Sequence, residues 1–142
     1  MKKVLAAIFC ALLWTSAFGA EGWLACKRVV DGDTIVVEGI GKVRLLGVDT
    51  PELAHDGRRA ERGAEEARKF TTGMVLGKKV RLEYDVDRLD KFGRTLAYVY
   101  TEKGEMLNRE LLRKCLAEPM YHFPYAKKGE FIKMHKDFCV RR

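Results

Sequence analysis

One aliphatic stretch, Arg44-Leu45-Leu46-Gly47-Val48-Asp49-Thr50-Pro51-Glu52, carries a lone arginine and ends in two carboxylates three residues apart. Pro51 stands between the two acids, where it stops a strand and restricts the backbone before it. A strand end is a rigid platform, and Asp49 and Glu52 there supply hard oxygen ligands suited to calcium or magnesium. The bend also exposes a carbonyl as a further ligand. A solvated turn after an edge strand, with Arg44 paired to a nearby acid, would explain neither the arginine inside an apolar strand nor the clustering of the acids.

Three other groups of residues could contribute. Asp31-Gly32-Asp33-Thr34 reads by itself as a hairpin turn, its glycine supplying a positive φ and its aspartates bonding to local backbone. Asp90-Lys91-Phe92-Gly93-Arg94 reads alone as a charged hairpin tip. Its arginine nevertheless has the fork that grips two phosphate oxygens at once. Tyr121, Phe123 and Tyr125 alternate with His122 and Pro124. Such a strip either stacks on bases or covers a core.

These residues need elements to hold them. Val80, Leu82 and Tyr84 alternate with Lys79, Arg81 and Glu83, which predicts a strand with one face on a core. Segments 34–38 and 42–48 are denser in aliphatic residues, as strands covered on both faces are, and 96–100 completes the set. Helical spacing appears in Ala60, Ala64, Ala67, Phe70 and Met74, in Leu107, Leu111 and Cys115, and in Phe131, Met134 and Phe138. Five or so strands, a helix inserted after the third and two more at the end predict an α+β fold, a small barrel decorated by helices.

At the N-terminus, Lys2 and Lys3 precede an uncharged run over 4–14 and then small residues, the layout of a secretory signal peptide. The run is shorter than the ~20 residues that span a bilayer. Residues 1–19 are therefore expected to be a leader and 20–142 one domain starting at Ala20, exported to the periplasm or beyond and not stably inserted in a membrane. The net charge of +7 stays positive without the two leader lysines, which suits a polyanionic partner. With Cys10 in the leader, Cys26, Cys115 and Cys139 remain, and with His55, His122 and His135 they form no zinc pattern. An oxidising compartment predicts one disulfide and one free thiol, with Cys115 and Cys139 the first choice because each ends a predicted helix.

In order and spacing, the segment 30–34, the run 44–52, and the turn 90–94 followed by Leu96-Ala97-Tyr98-Val99-Tyr100 closely resemble the staphylococcal nuclease family, or thermonucleases, over about 27–121. The resemblance implies an OB-type five-stranded barrel with three helices, and a calcium-dependent nuclease that hydrolyses DNA and RNA and leaves 3′-phosphates. It implies that Asp33 and Asp49 bind Ca2+ through side chains and Thr50 through its carbonyl. Glu52 would orient or deprotonate the attacking water, and Arg44 and Arg94 would hold the scissile phosphate. Lys91, Phe92, Tyr121 and Phe123 fall where substrate contacts are expected.

Some positions depart from that pattern. Phe92 and Phe123 stand where relatives carry tyrosine, so neither can donate a hydrogen bond. Loop 53–62, with His55, Arg58, Arg59 and Arg62, corresponds to a loop near the substrate in the family, and reads as a phosphate-steering element or a solvated loop. The ending 138–142 lacks the family's closing residues. The alternative is a nucleic-acid-binding module on the same barrel, a class that typically loses the carboxylates and arginines kept here. The chain is expected to act as a monomer.

Overall fold

The computed structural model describes residues 22–140, so the expected leader lies outside the described residues. The strands are β1 (Leu24–Asp31), β2 (Thr34–Val37), β3 (Gly41–Leu45), β4 (Val48–Asp49), β5 (Lys79–Glu83), β6 (Thr95–Thr101) and β7 (Glu118–Pro119). The helices are α1 (Ala64–Val75), α2 (Leu107–Arg113) and α3 (Lys128–His135), the last running into a π-helical turn, Lys136–Val140. Five strands close a barrel in the order β1-β2-β3-β6-β5, and β4 pairs separately with β7. This is the OB-type α+β barrel with three helices expected from the resemblance. No helix of the described residues is long and apolar enough to cross a membrane.

The barrel closes because alternate residues of each strand have somewhere apolar to go. Val80 and Leu82 of β5 are buried while Lys79 is exposed, as the alternation predicts. They meet Ile35, Val37, Val43, Leu45, Leu96 and Val99 in one core. Buried Asn108 of α2 ties the helix to the barrel: its carbonyl accepts the Val99 N–H at 2.9 Å, and its amide donates to the Leu46 carbonyl at 2.9 Å. Phe131 of α3 is fully buried with its ring edge-on to Tyr98, so α3 closes the other side.

Two expected elements have different bounds. The strand anticipated over 42–48 stops at Leu45, and Val48–Asp49 leaves the barrel to pair with β7. Gly47 makes this break with φ +80, and a Cβ there would stand 2.5 Å from the Tyr125 ring. The first helix begins at Ala64 rather than near Ala60, because Gly63 takes a left-handed φ of 89° at its start. Ala60 is exposed in the preceding loop.

Cys115 and Cys139 form a disulfide that joins the end of α2 to the π-helical turn, with Cα atoms 5.6 Å apart. Cys26 is free and buried. The π-helical turn buries no residue of its own, and the Cys115–Cys139 link ties it to the end of α2.

Candidate active site

The end of β1, the end of β3 and the short β4 converge on one corner. There Asp33 and Arg44 are buried, with 3% and 8% of their surfaces exposed. The Arg44 Nη2 lies 2.9 Å from Asp49 Oδ1 and 3.1 Å from Asp33 Oδ2. Its Nη1 donates to the carbonyls of Leu45 at 2.8 Å and Val48 at 2.6 Å, stapling both sides of the Gly47 turn. Asp33 Oδ2 also accepts the Thr50 N–H at 2.9 Å, and Asp33 Oδ1 accepts the Thr34 hydroxyl at 3.1 Å. One buried guanidinium and one buried carboxylate thus fix Asp49 and Thr50 relative to the barrel.

Asp31 and Gly32 complete the corner. Asp31 Oδ1 accepts the Asp33 N–H at 3.1 Å, the local bond expected of an aspartate turn. A Cβ on Gly32 would lie 2.7 Å from the Ala67 side chain and 2.8 Å from Thr50 Oγ1, so only glycine lets α1 and Thr50 approach this closely. The Thr71 hydroxyl of α1 donates to the Gly32 carbonyl at 2.6 Å.

The corner carries more negative charge than Arg44 offsets. Burial, then the charge of Asp33 and its hydrogen bonding, with a smaller push from Glu52, raise Asp31 to about 6. Burial also raises Asp49, against the opposing pull of Arg44 and with added repulsion from Asp33, Glu61 and Glu118. Since 62% of the Asp49 side chain is exposed, solvent screens part of that effect. Among the described residues no three His, Cys, Asp or Glu side chains group as a ready ligand set.

Glu52 follows on an exposed bend, its carboxylate 3.9 Å from the His55 imidazole. Its backbone N–H donates to Glu61 Oε2 at 2.9 Å, and the Glu61 N–H donates back to the Glu52 carbonyl at 2.8 Å. Glu52 follows the corner by two residues from Thr50, and its charge adds a small push on Asp31.

Arg94 sits on a separate rim at the start of β6. Its Nε donates to Asp90 Oδ2 at 2.6 Å, while Asp90 Oδ1 accepts the N–H groups of Phe92 and Arg94, each at 2.9 Å. Against the upward pull of burial, those bonds and the Arg94 charge hold Asp90 below the ordinary carboxylate range. Phe92 is 71% exposed, with Lys91 Nζ 5.1 Å and the Arg94 guanidinium 5.5 Å from its ring centre.

Tyr121 is exposed, on the segment after β7. Phe123 packs partly on the core and lines a groove of about 410 Å³ with Leu46, Val86 and Tyr125. The structure therefore brings Asp33, Arg44, Asp49 and Thr50 into direct contact. Lys91, Phe92 and Arg94 form a second group, and Tyr121 and Phe123 lie on a third segment. The sequence reading placed Asp31 and Asp90 in turns without giving them a part in the site, and did not name Glu61. Asp31 had a signal in the repeated aspartate of its turn; Glu61 had none.

A closed barrel with carboxylates and an arginine interlocked at one corner, and a second arginine on a neighbouring rim, defines the class of protein. Residues 42–137 match the family described as staphylococcal nuclease homologue. The chain is 43% identical over 109 residues to a protein named thermonuclease from Staphylococcus hyicus, covering 75% of this chain and 64% of that one. It is 42% identical over 104 residues to a thermonuclease from Staphylococcus intermedius, covering 71% and 61%. It is also 43% identical over 98 residues to endonuclease YncB from Bacillus subtilis (strain 168), covering 66% and 46%. The chain thus spans less than two thirds of the length of these relatives. It belongs to the staphylococcal nuclease family.

Proposed function

We propose that this chain is an exported, calcium-dependent nuclease that hydrolyses phosphodiester bonds of DNA and RNA by 5′ P–O cleavage, leaving 3′-phosphates. The observation that carries this reading is the corner itself, where Arg44 and Asp33 hold Asp49 and Thr50 at fixed positions beside Asp31. Hydrolysis of a phosphodiester needs a water in line with the leaving oxygen and positive charge on the phosphate oxygens. The residues present answer each need.

Asp33, Asp49 and the Thr50 carbonyl are the residues that would hold a calcium ion, and the donor set suits it. All are hard oxygens, the corner has excess negative charge, and calcium accepts water to complete its shell. When bound, the ion supplies Lewis-acid charge stabilisation at the phosphate. Arg94 bonds Asp90 through Nε, which leaves its terminal nitrogens for a phosphate. Arg44 spends its terminal nitrogens on the corner, which makes it a holder of ligands as well as a charge facing the phosphate. Glu52 would orient the attacking water or take its proton.

Phe92 offers an exposed ring for stacking, and Lys91 and Tyr121 flank the path of a strand. Phe123 would contribute a partly covered ring. Arg58, Arg59 and Arg62 are exposed on the loop beyond Glu52, where they would meet further phosphates. Export rests on the leader pattern of 1–19, and the Cys115–Cys139 disulfide suits an oxidising compartment. The reading takes the active unit to be a monomer. Plasmid DNA incubated with the purified protein tests it: calcium should produce loss of intact plasmid and a chelator should stop it. A gel shift without cutting would select the binding module instead.

A further inference from the structure

We propose that Glu61 is a positioning residue that sets the place of Glu52. The proposal rests on Glu52 acting on the water, as read above. Glu52 stands on an exposed bend and its carboxylate is 56% exposed, 3.9 Å from the His55 imidazole. Side-chain packing does not hold it. What fixes it is a reciprocal pair of bonds, Glu52 N–H to Glu61 Oε2 at 2.9 Å and Glu61 N–H to the Glu52 carbonyl at 2.8 Å.

That pair closes the base of the loop between the two residues, while Arg58 N–H to the His55 carbonyl at 2.8 Å closes its tip. Glu61 is in turn fixed from behind. Its carbonyl accepts the Ala64 N–H at 3.2 Å, at the first residue of α1. Further along α1, Thr71 is bonded to the Gly32 carbonyl between Asp31 and Asp33. A continuous path of hydrogen bonds and helix backbone therefore runs from the Asp31-Gly32-Asp33 turn through α1 and Glu61 to Glu52. It gives the exposed carboxylate a fixed origin relative to the acids of the corner.

Glu61 bonds the backbone of Glu52 and adds negative charge near Asp49. A neutral acceptor of similar reach would close the loop without that repulsion. Glu61→Gln retains a carbonyl oxygen and removes the charge, whereas Glu61→Ala removes the acceptor. The two substitutions separate positioning from electrostatics.

The experiment measures kcat, KM for DNA and the calcium needed for half-maximal rate in Glu61→Ala and Glu61→Gln, per folded molecule. The expected result for Glu61→Ala is a kcat lower by roughly ten- to a hundredfold, the range for a reacting group misplaced by about an ångström. KM and the calcium requirement should stay within about twofold, which a merely structural loss would not ensure. Glu61→Gln should recover most of kcat. In a Glu52→Gln background, Glu61→Ala should cost nothing more, because the group it positions is gone.

Parental kcat in Glu61→Ala would overturn the proposal, as would Glu61→Gln falling as far as Glu61→Ala. A further loss in the Glu52→Gln background would do the same, since Glu61 would then act elsewhere. If Glu52→Gln alone kept parental activity, the role given to Glu52 would fail first and the positioning role with it.

Discussion

The two arginines at the centre of this account live in opposite surroundings. Arg44 is buried and its terminal nitrogens are taken up by two carbonyls and two carboxylates, so that moving it would disturb the β3–β4 turn, Asp33 and Asp49 together. Arg94 lies on a partly open rim, tied to Asp90 through Nε alone. The closed corner fixes geometry; the rim offers an adaptable grip. Buried charge is expensive unless its partners are in place, and Arg44 meets that condition by serving several acceptors at once.

The contrast predicts unequal outcomes for the same substitution. Arg44→Lys replaces a planar fork with a single nitrogen that cannot reach two carbonyls and two carboxylates. It should lower both activity and stability, the latter on the order of 2 kcal/mol, below the ~3–5 kcal/mol of breaking a buried pair outright. Thermal melting alongside cleavage assays reads both. Arg94→Lys should cost about two to three powers of ten in rate with little change in melting. Equal effects on stability at the two sites would erase the distinction between corner and rim.

The acids of the two regions should respond to pH with opposite sign. Asp90 is held below the ordinary carboxylate range, so its contribution is complete above the ordinary pKa of about 4 and is lost as pH falls through its depressed value. Asp31 is raised to about 6, so its charge costs stability at neutral pH, and that cost shrinks as pH falls below about 6 and is gone near the ordinary value of about 4. In chelator at pH 7 to 8, Asp31→Asn should therefore melt a few degrees higher than the parent, with the gain vanishing near pH 4. A lower melting temperature at neutral pH would show that Asp31 is stabilised in the corner rather than crowded by it.

The smallest effect belongs to the rim. Phe92 is open to solvent and cannot donate a hydrogen bond, so Phe92→Tyr should tighten a nucleotide inhibitor by about 0.5–1.5 kcal/mol where the hydroxyl reaches phosphate. An unchanged inhibition constant would mean that Lys91 and Arg94 already satisfy that phosphate.

What was legible in the sequence is the part whose signals are local. Alternation over 79–83 announced a strand, and the run 44–52 announced a cluster of charged residues, because residue types within a few positions carry the information. Arg44 in an apolar strand was such a signal, and its burial among acceptors explains it. The break at Gly47 was not legible, since it depends on the Tyr125 ring behind it and on the Asn108 amide, 62 residues from the Leu46 carbonyl it meets. The late start of α1 turns on one left-handed glycine that a helical pattern through Ala60 passes over. Glu61 was invisible for a related reason: nothing in its neighbours says that its carboxylate folds back onto the backbone of Glu52.

The claim on which the rest depends is that the closed corner holds the metal that cleavage requires. Calcium titration of the cleavage rate, per folded molecule, on the parent, Asp33→Asn and Asp49→Asn tests it most directly. Each substitution removes a charged oxygen ligand, so each curve should move to higher calcium, with Asp33→Asn also disturbing Thr50 through the bond it accepts. Curves that superpose on the parent, or parental cleavage in chelator, would contradict the account.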